Sequence, residues 1–373
     1  MFVANTPFFK KYFLPGFVFL GVVIAGGYGT GRELVEYFLR FGTLGGILGM
    51  LLITTGMWAL MQAVTFEFSR IFKAYDYRTF FMCLIGKFWY IFEILYFIAL
   101  LLVLAVVGSA AGALLRDNFG IPYLVGVIIM LGAIGFLTFE GSGLIEKFFS
   151  GWAVMLYLVY IAFLVISVIK FGPQIQANLS TASIKPGWVL GGFKYALYSM
   201  TVVPAVLFSI RHIETRKEAI LSGIISGIIG IFPAFLFLIA ITAFYPEILT
   251  EEIPAVFAIS KMGYFAFLVI YQVVLLGTLI QTGTGFIHAV NERIQSSLQV
   301  KGKDLPRWMR PIIAVVLLSI GFSLATFGII ALIAKGYGSL SWGVFIVYFI
   351  PLMTVGVYKI AKKAQNLRAK TSP

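Results

Sequence analysis

Ten stretches of about 20 or more residues, each poor in charge, dominate this chain and decide what it can fold into. They run roughly over 12–39, 43–70, 87–115, 121–140, 147–171, 188–211, 217–245, 264–296, 309–335 and 339–361. About 20 apolar residues in a helix cross the hydrocarbon core of a bilayer. The strands of a membrane barrel would instead alternate apolar and polar residues, and a run such as 91–107 does not. The expected fold class is therefore an all-α integral membrane protein with ten transmembrane helices. Composition points the same way, at 60% hydrophobic and 12% charged. A soluble domain carries about 25% charge, so a soluble enzyme, a nucleic-acid binder and a disordered chain are all excluded. Lys10 and Lys11 precede the first run as in a secretory leader, but no small-residue cleavage site follows, so a retained span is expected.

The 28 Lys and Arg against 15 Asp and Glu leave a net charge of +13. Most of the basic residues fall in alternate connections: Lys10 and Lys11, then Arg70 to Lys87, then Arg211 to Lys217, then Arg293 to Arg310, and the tail from Lys359. Positive charge collects on the cytoplasmic side of membrane proteins, which puts both termini in the cytoplasm, as an even number of spans requires. The same residues suit anionic lipid headgroups. No separate polar domain exists to bind nucleic acid. The lone Cys83 and the two histidines, His212 and His288, exclude a disulfide and make no zinc site. No catalytic triad, acid pair or phosphate-binding GxxxxGK[ST] sequence is present, so an enzyme is not expected.

The backbone is expected to break at two places. In the first span Gly26, Gly27, Gly29 and Gly31 fall within six residues around Tyr28 and Thr30. Each glycine costs a helix about 1 kcal/mol relative to alanine. Unwound backbone is tolerated at membrane depth only inside protein or beside a wet cavity. Glycines spaced by four without adjacent charge, Gly45/Gly49, Gly108/Gly112 and Gly223/Gly227, read instead as close-packing surfaces. The sixth span carries Tyr198-Ser199-Met200-Thr201-Val202-Val203-Pro204, where proline removes a helix donor and the two hydroxyls can bond the released groups. Ten helices divide as five plus five, and the first and sixth then correspond. Interrupted helices at corresponding positions point to a transport site at the bilayer midplane. The connection over 245–263 is expected to form a short helical hairpin above an outer vestibule.

Fifteen acids are few enough to inspect singly. Glu33 lies inside a span, where an ionisable group faces a cavity or a partner. Its functional reading is recognition of a substrate amine or coupling to protons, and its structural alternative is a pair with Arg32 or Lys194. Glu36 and Arg40 are expected to pair at i and i+4. Glu93 reads as a paired charge at a helix end near Lys87, and His288 as packed in the inner half of the eighth span.

The run from Phe19 through Ala25-Gly26-Gly27-Tyr28-Gly29-Thr30-Gly31-Arg32-Glu33 to Phe41-Gly42 resembles the first-helix signature of the YkvI-like bacterial membrane proteins. Glu252-Ile253-Pro254, Ile320-Gly321-Phe322-Ser323 and Lys335-Gly336-Tyr337-Gly338 add to the likeness. That family is placed in the amino acid–polyamine–organocation (APC) superfamily, which has the LeuT-like fold. The resemblance implies a 5+5 inverted repeat with substrate between broken helices 1 and 6, flanked by helices 3 and 8. It implies that Gly29-Thr30-Gly31 offers backbone N–H groups to a substrate carboxylate. Where sodium is coupled, it implies carbonyls of Ala25 and Tyr28 with the hydroxyls of Thr278 and Thr282 on one face of helix 8. The stretch Thr278-Leu279-Ile280-Gln281-Thr282 lacks the acidic residue of the family pattern, and Lys147 lies at the end of span five, so sodium and proton coupling both stay open.

The expectation is one transmembrane domain over 1–373, with repeats over about 12–171 and 188–361. It would act in the cell membrane as a symporter-like secondary transporter of a small amino-acid-like or amine solute by alternating access. Substrate-binding candidates are Gly26, Gly27, Tyr28, Gly29, Thr30, Gly31, Glu33, Tyr198, Ser199 and Thr201, and a sodium ion is the one cofactor entertained. The rival reading is a receptor on the same fold that binds a solute without net transport.

Overall fold

A computed structural model describes residues 6–23, 26–140, 142–299, 302, 306 and 308–371. Among the described residues every regular element is a helix. In lipid this is what elementary physics demands, because a helix satisfies its own backbone donors and acceptors. In chain order the helices are α1 (Pro7–Tyr12), α2 (Leu14–Val23), α3 (Gly26–Thr30), α4 (Arg32–Tyr37) and α5 (Thr43–Phe72). Next come α6 (Tyr77–Ile85), α7 (Trp89–Phe119), α8 (Tyr123–Glu140), α9 (Ser142–Ser180) and α10 (Trp188–Ser199). The remainder are α11 (Arg216–Ile241), α12 (Pro254–Lys261), α13 (Phe265–Gln299), α14 (Met309–Ala325) and α15 (Ile329–Asn366).

Six helical stretches among the described residues are long and apolar enough to cross a membrane, and two shorter apolar helices cover Tyr123–Thr138 and Ile312–Ala325. The first and sixth expected spans are the divided ones. Residues 12–39 are split among α2, α3 and α4, and 188–211 pass from α10 into tight 3-10 turns over Met200–Ala205 and Leu207–His212. Two boundaries differ from expectation. The turn expected between 335 and 339 lies instead at Gly328, whose φ of 78° lets the chain reverse. Lys335 to Gly338 continues as helix, its extra residue absorbed by a wide turn over Leu332–Tyr337. The connection expected over 171–187 is mostly helix, because α9 bends at Phe171 beside Pro173 and runs on to Ser180.

Packing brings α2, α5, α11 and the turns after α10 into one group, and α7, α8 and α14 into another. Gly223 and Gly227 set the first. A Cβ on Gly223 would lie 2.3 Å from the Ala63 nitrogen, and one on Gly227 would lie 2.7 Å from that of Ala59. The α5 and α11 backbones therefore touch, as small residues permit. Helix α11 starts on a capping box, with the Glu218 N–H donating to Thr215 Oγ1 at 3.2 Å and the Thr215 N–H to the Glu218 carboxylate at 3.1 Å. At that same end Lys11 reaches Glu214 at 2.8 Å and Glu218 at 3.1 Å, and Arg70 bonds Glu67 and the Glu214 carbonyl.

At the other end the 245–263 connection forms one 3-10 turn, Glu247–Thr250, followed by α12, which packs on α4. It covers the divided first helix.

A candidate solute site at the two breaks

Gly31 separates α3 from α4 with φ at 78°, and its N–H donates to the Tyr28 carbonyl at 2.9 Å. A Cβ there would stand 2.9 Å from the Phe237 ring, so both conformation and space call for glycine. The Arg32 N–H donates to Thr30 Oγ1 at 3.3 Å, and Tyr271 on α13 donates to the Gly29 carbonyl at 2.8 Å. Of the three N–H groups over Gly29-Thr30-Gly31 that the resemblance offers to a carboxylate, that of Gly31 is thus spent locally. Gly26 and Gly27 open α3, and Ala25 lies outside the described residues.

In the first turn of α4, Glu33 is 3% exposed and accepts a hydrogen bond from the Tyr198 hydroxyl at the end of α10. The two breaks therefore meet through side chains 165 residues apart. Tyr198 stacks on Tyr337 with ring centroids 4.7 Å apart, and lies 5.4 Å from the rings of both Tyr37 and Tyr195. Beside this group is a cavity of about 30 Å³ lined by Glu33, Tyr198, Ser199, Thr201, Phe286 and Tyr337, among others. A water molecule needs roughly 10–15 Å³ of such space, so the cavity holds about two waters and no whole amino acid. Ser199 donates to the Tyr195 carbonyl at 2.6 Å and Thr201 to the Tyr198 carbonyl at 2.8 Å, which satisfies acceptors where α10 gives way to the 3-10 turn.

Neither structural pairing considered for Glu33 occurs. Arg32 instead bonds the Leu249 carbonyl at 2.8 Å, the Glu251 carbonyl at 3.0 Å and Glu36 at 3.0 Å. Lys194 makes no ion pair among the described residues. Glu36 also takes Arg40, the pair expected from their spacing. Glu93 accepts from Tyr77 at 2.9 Å, while Lys87 lies over the Phe88 ring.

Tyr28, Gly29, Thr30 and Gly31 do not line the Glu33 cavity. Tyr28 packs instead against Tyr160, edge to face at 6.1 Å. Thr278 donates to the Val274 carbonyl at 2.8 Å and Thr282 to the Thr278 carbonyl at 3.0 Å. Both extend the α13 face that carries Tyr271 and Leu275 onto Gly29. Their hydroxyl protons are spent within the helix, so the oxygens keep lone pairs.

Sequence reasoning passed over Tyr37, Tyr195, Tyr337 and Phe286. Tyr37 stands four residues after Glu33 and was within reach of helical spacing, and Tyr337 sits in a stretch noted for its family likeness alone.

No protein-family model matches the chain. The uncharacterized membrane protein YkvI of Bacillus subtilis (strain 168) is 26% identical over 293 residues, which is 77% of this chain and 82% of YkvI. Among solved structures, a Na+-coupled sialic acid symporter in a substrate-bound outward-open state aligns with a TM-score of 0.62 at 12% identity, covering 95% of this chain and 80% of the symporter. MhsT in complex with L-phenylalanine aligns at 0.54 and 15% identity, covering 92% and 98%. The manganese transporter of Eremococcus coleocola aligns at 0.52 and 14%, covering 92% and 78%.

Proposed function

This is a YkvI-like chain on the LeuT-like fold, and from that premise we propose that it is a secondary active transporter of a small amino-acid-like or amine solute. The observation that carries the reading is the Glu33–Tyr198 contact, which joins the break in the first helical region to the break in the sixth. Two discontinuous helices meeting at a buried charge are the architecture of a midplane transport site. We assign the chain ten spans in two inverted repeats, about 12–171 and 188–361, within one transmembrane domain of the APC superfamily. The divided regions 12–39 and 188–211 are counted as spans 1 and 6, and both termini lie in the cytoplasm. In this assignment α2–α4, α5, the α10 region and α11 form the unit that rocks against the remaining helices.

Glu33 receives the solute's amine or the coupling proton. Sodium coupling is supported by the sodium-coupled sialic acid symporter on the same fold, and the oxygens of Thr278 and Thr282 on one face of α13 keep lone pairs for an ion. An amino-acid solute is supported by the neighbour solved with L-phenylalanine. The cavity's small volume belongs to a closed form of the site, so a solute enters only after the helices separate.

The test is uptake of labelled amino acids and amines into proteoliposomes with and without a sodium or proton gradient. Gradient-dependent accumulation is expected. Saturable binding without accumulation would overturn transport in favour of a receptor. Glu33→Gln keeps shape and removes the charge, and hydrogen bonds to charged groups contribute about 1.5–3 kcal/mol. Solute affinity or coupled uptake should therefore fall about tenfold to a hundredfold.

A further inference from the structure

Tyr37 ties α4 to the place where α15 is out of step. Over Leu332–Tyr337 the backbone closes its hydrogen-bonded rings five residues back in place of four. A turn so widened holds one residue more than the regular ladder, and a carbonyl in it goes without its usual N–H. At membrane depth such a carbonyl must find a donor elsewhere in the protein. Ile333 lies in this turn, and its carbonyl accepts from the Tyr37 hydroxyl at 2.9 Å, with both residues buried. The wide turn of α5, over Gly49–Thr54, is served from its own helix, where Thr55 donates to the Met50 carbonyl at 3.0 Å.

The same two helices meet again at Tyr198. Tyr37 stands four residues after Glu33 on α4, and Tyr337 four after Ile333 on α15. Glu33 takes the Tyr198 hydroxyl, while Tyr337 stacks on the Tyr198 ring at 4.7 Å and lines the cavity beside Glu33. The contacts close a circuit through α4, α15 and α10, and Tyr37 is the link in it that holds backbone. Tyr195 provides the contrast. Its ring is as near to Tyr198 as that of Tyr37, at 5.4 Å, yet its hydroxyl has no hydrogen-bond partner among the described residues. We propose that Tyr37 is a positioning residue of the solute site: its hydroxyl keeps the wide turn of α15 open, and the turn sets Tyr337 on Tyr198 where that residue meets Glu33. Without the hydroxyl the Ile333 carbonyl is an unpaired acceptor inside the protein, which is strongly unfavourable. The turn then closes onto the regular ladder, and Tyr337, its last residue, loses its aim. Gly328, with φ at 78° and nothing within 4 Å of where a Cβ would stand, leaves room at the head of α15 for the displaced residue.

The inference rests on reading the Glu33–Tyr198 junction as the solute site, but its test needs neither solute nor gradient, so either can fail alone. Tyr337 is replaced by 3-fluorotyrosine in the full-length protein in lipid nanodiscs, and its fluorine resonance is recorded alongside amide exchange over 329–338. Ring currents in the stack hold that resonance away from the value of the free amino acid. Tyr37→Phe keeps the ring and removes only the hydroxyl. It should move the resonance toward the free value and speed exchange over 329–338 about fivefold to tenfold, as loss of one hydrogen bond implies, with α11 unchanged. Tyr195→Phe removes a hydroxyl that bonds nothing and should change neither. Deleting Ala334 takes the surplus residue out of the turn and attacks the same bond from its other side, which covers a Tyr37 variant that fails to fold. The deletion should shift the resonance in the same direction, and Tyr37→Phe added to it should change exchange by less than about twofold, because the two act on one bond. A wild-type resonance and wild-type exchange in Tyr37→Phe would overturn the proposal, as would a resonance that the deletion leaves unmoved. An equal response to Tyr195→Phe would overturn it too, by making ring packing the cause in place of the bond.

Discussion

The two ends of the first helical region are both tied down, by different physics. At the lid end Arg32 is 4% exposed and clasps the 245–263 connection through backbone carbonyls, with Glu36 as counter-ion. At the basic end Lys11 reaches across open surface to Glu214 and Glu218, with side chains 20%, 76% and 15% exposed. A buried guanidinium on fixed carbonyls is directional and shielded from salt. An exposed ammonium on flexible carboxylates contributes little and is screened. The lid end therefore opens only at considerable cost, and the basic end answers to ionic conditions.

Four substitutions would break or sharpen that contrast. Arg32→Met should have the largest effect, because it removes the more buried of the two counter-ions of Glu36, leaving only the half-exposed Arg40, and frees two carbonyls. Breaking a buried pair costs about 3 kcal/mol, and amide hydrogen exchange over residues 247–261 should accelerate while exchange in α11 does not. Gly31→Ala should follow at about 2 kcal/mol, since a left-handed alanine is strained and its Cβ would meet Phe237 at 2.9 Å. The loss would be read as a lower Tm. Lys11→Met should cost less, and only at low ionic strength, so a salt series should erase the difference from wild type. Glu214 and Glu218 raise the Lys11 ammonium above its ordinary 10.5. Its contribution is therefore present at neutral pH and is lost as pH rises through that raised value. Glu251→Gln should change least, and in the stabilising direction. Partial burial, then Glu247 and Asp117, push the Glu251 carboxyl up. Protonation does in the wild type what the substitution does, so the Tm gap should close as pH falls into the acid range.

What was legible in the sequence follows the same division between local and distant causes. Gly31 was legible because a left-handed backbone leaves a local mark, and so was the Glu36–Arg40 pair at helical spacing. Glu33 stood out because charge inside a span is rare. That Arg32 would leave Glu33 for the lid was not legible, since its carbonyl partners lie 217 and 219 residues away. The tyrosines around Tyr198 were hidden for a related reason: with 18 in the chain, tertiary packing alone selects Tyr37, Tyr195 and Tyr337. The turn at Gly328 was misplaced because Gly336 and Gly338 carry as strong a local signal, and a wide helical turn absorbed them.

The contact of Gly223 with Ala63 has a mechanical consequence. Two backbones this close cannot slide past each other without collision, so α5 and α11 behave as one spliced beam. Whatever deformation the protein undergoes must be taken up where the chain is thin, in the 3-10 turns after α10 and at Gly31. Spectroscopic labels on α5 and on α11 would then report a constant separation, and that pair is a natural ruler against which every other displacement can be measured.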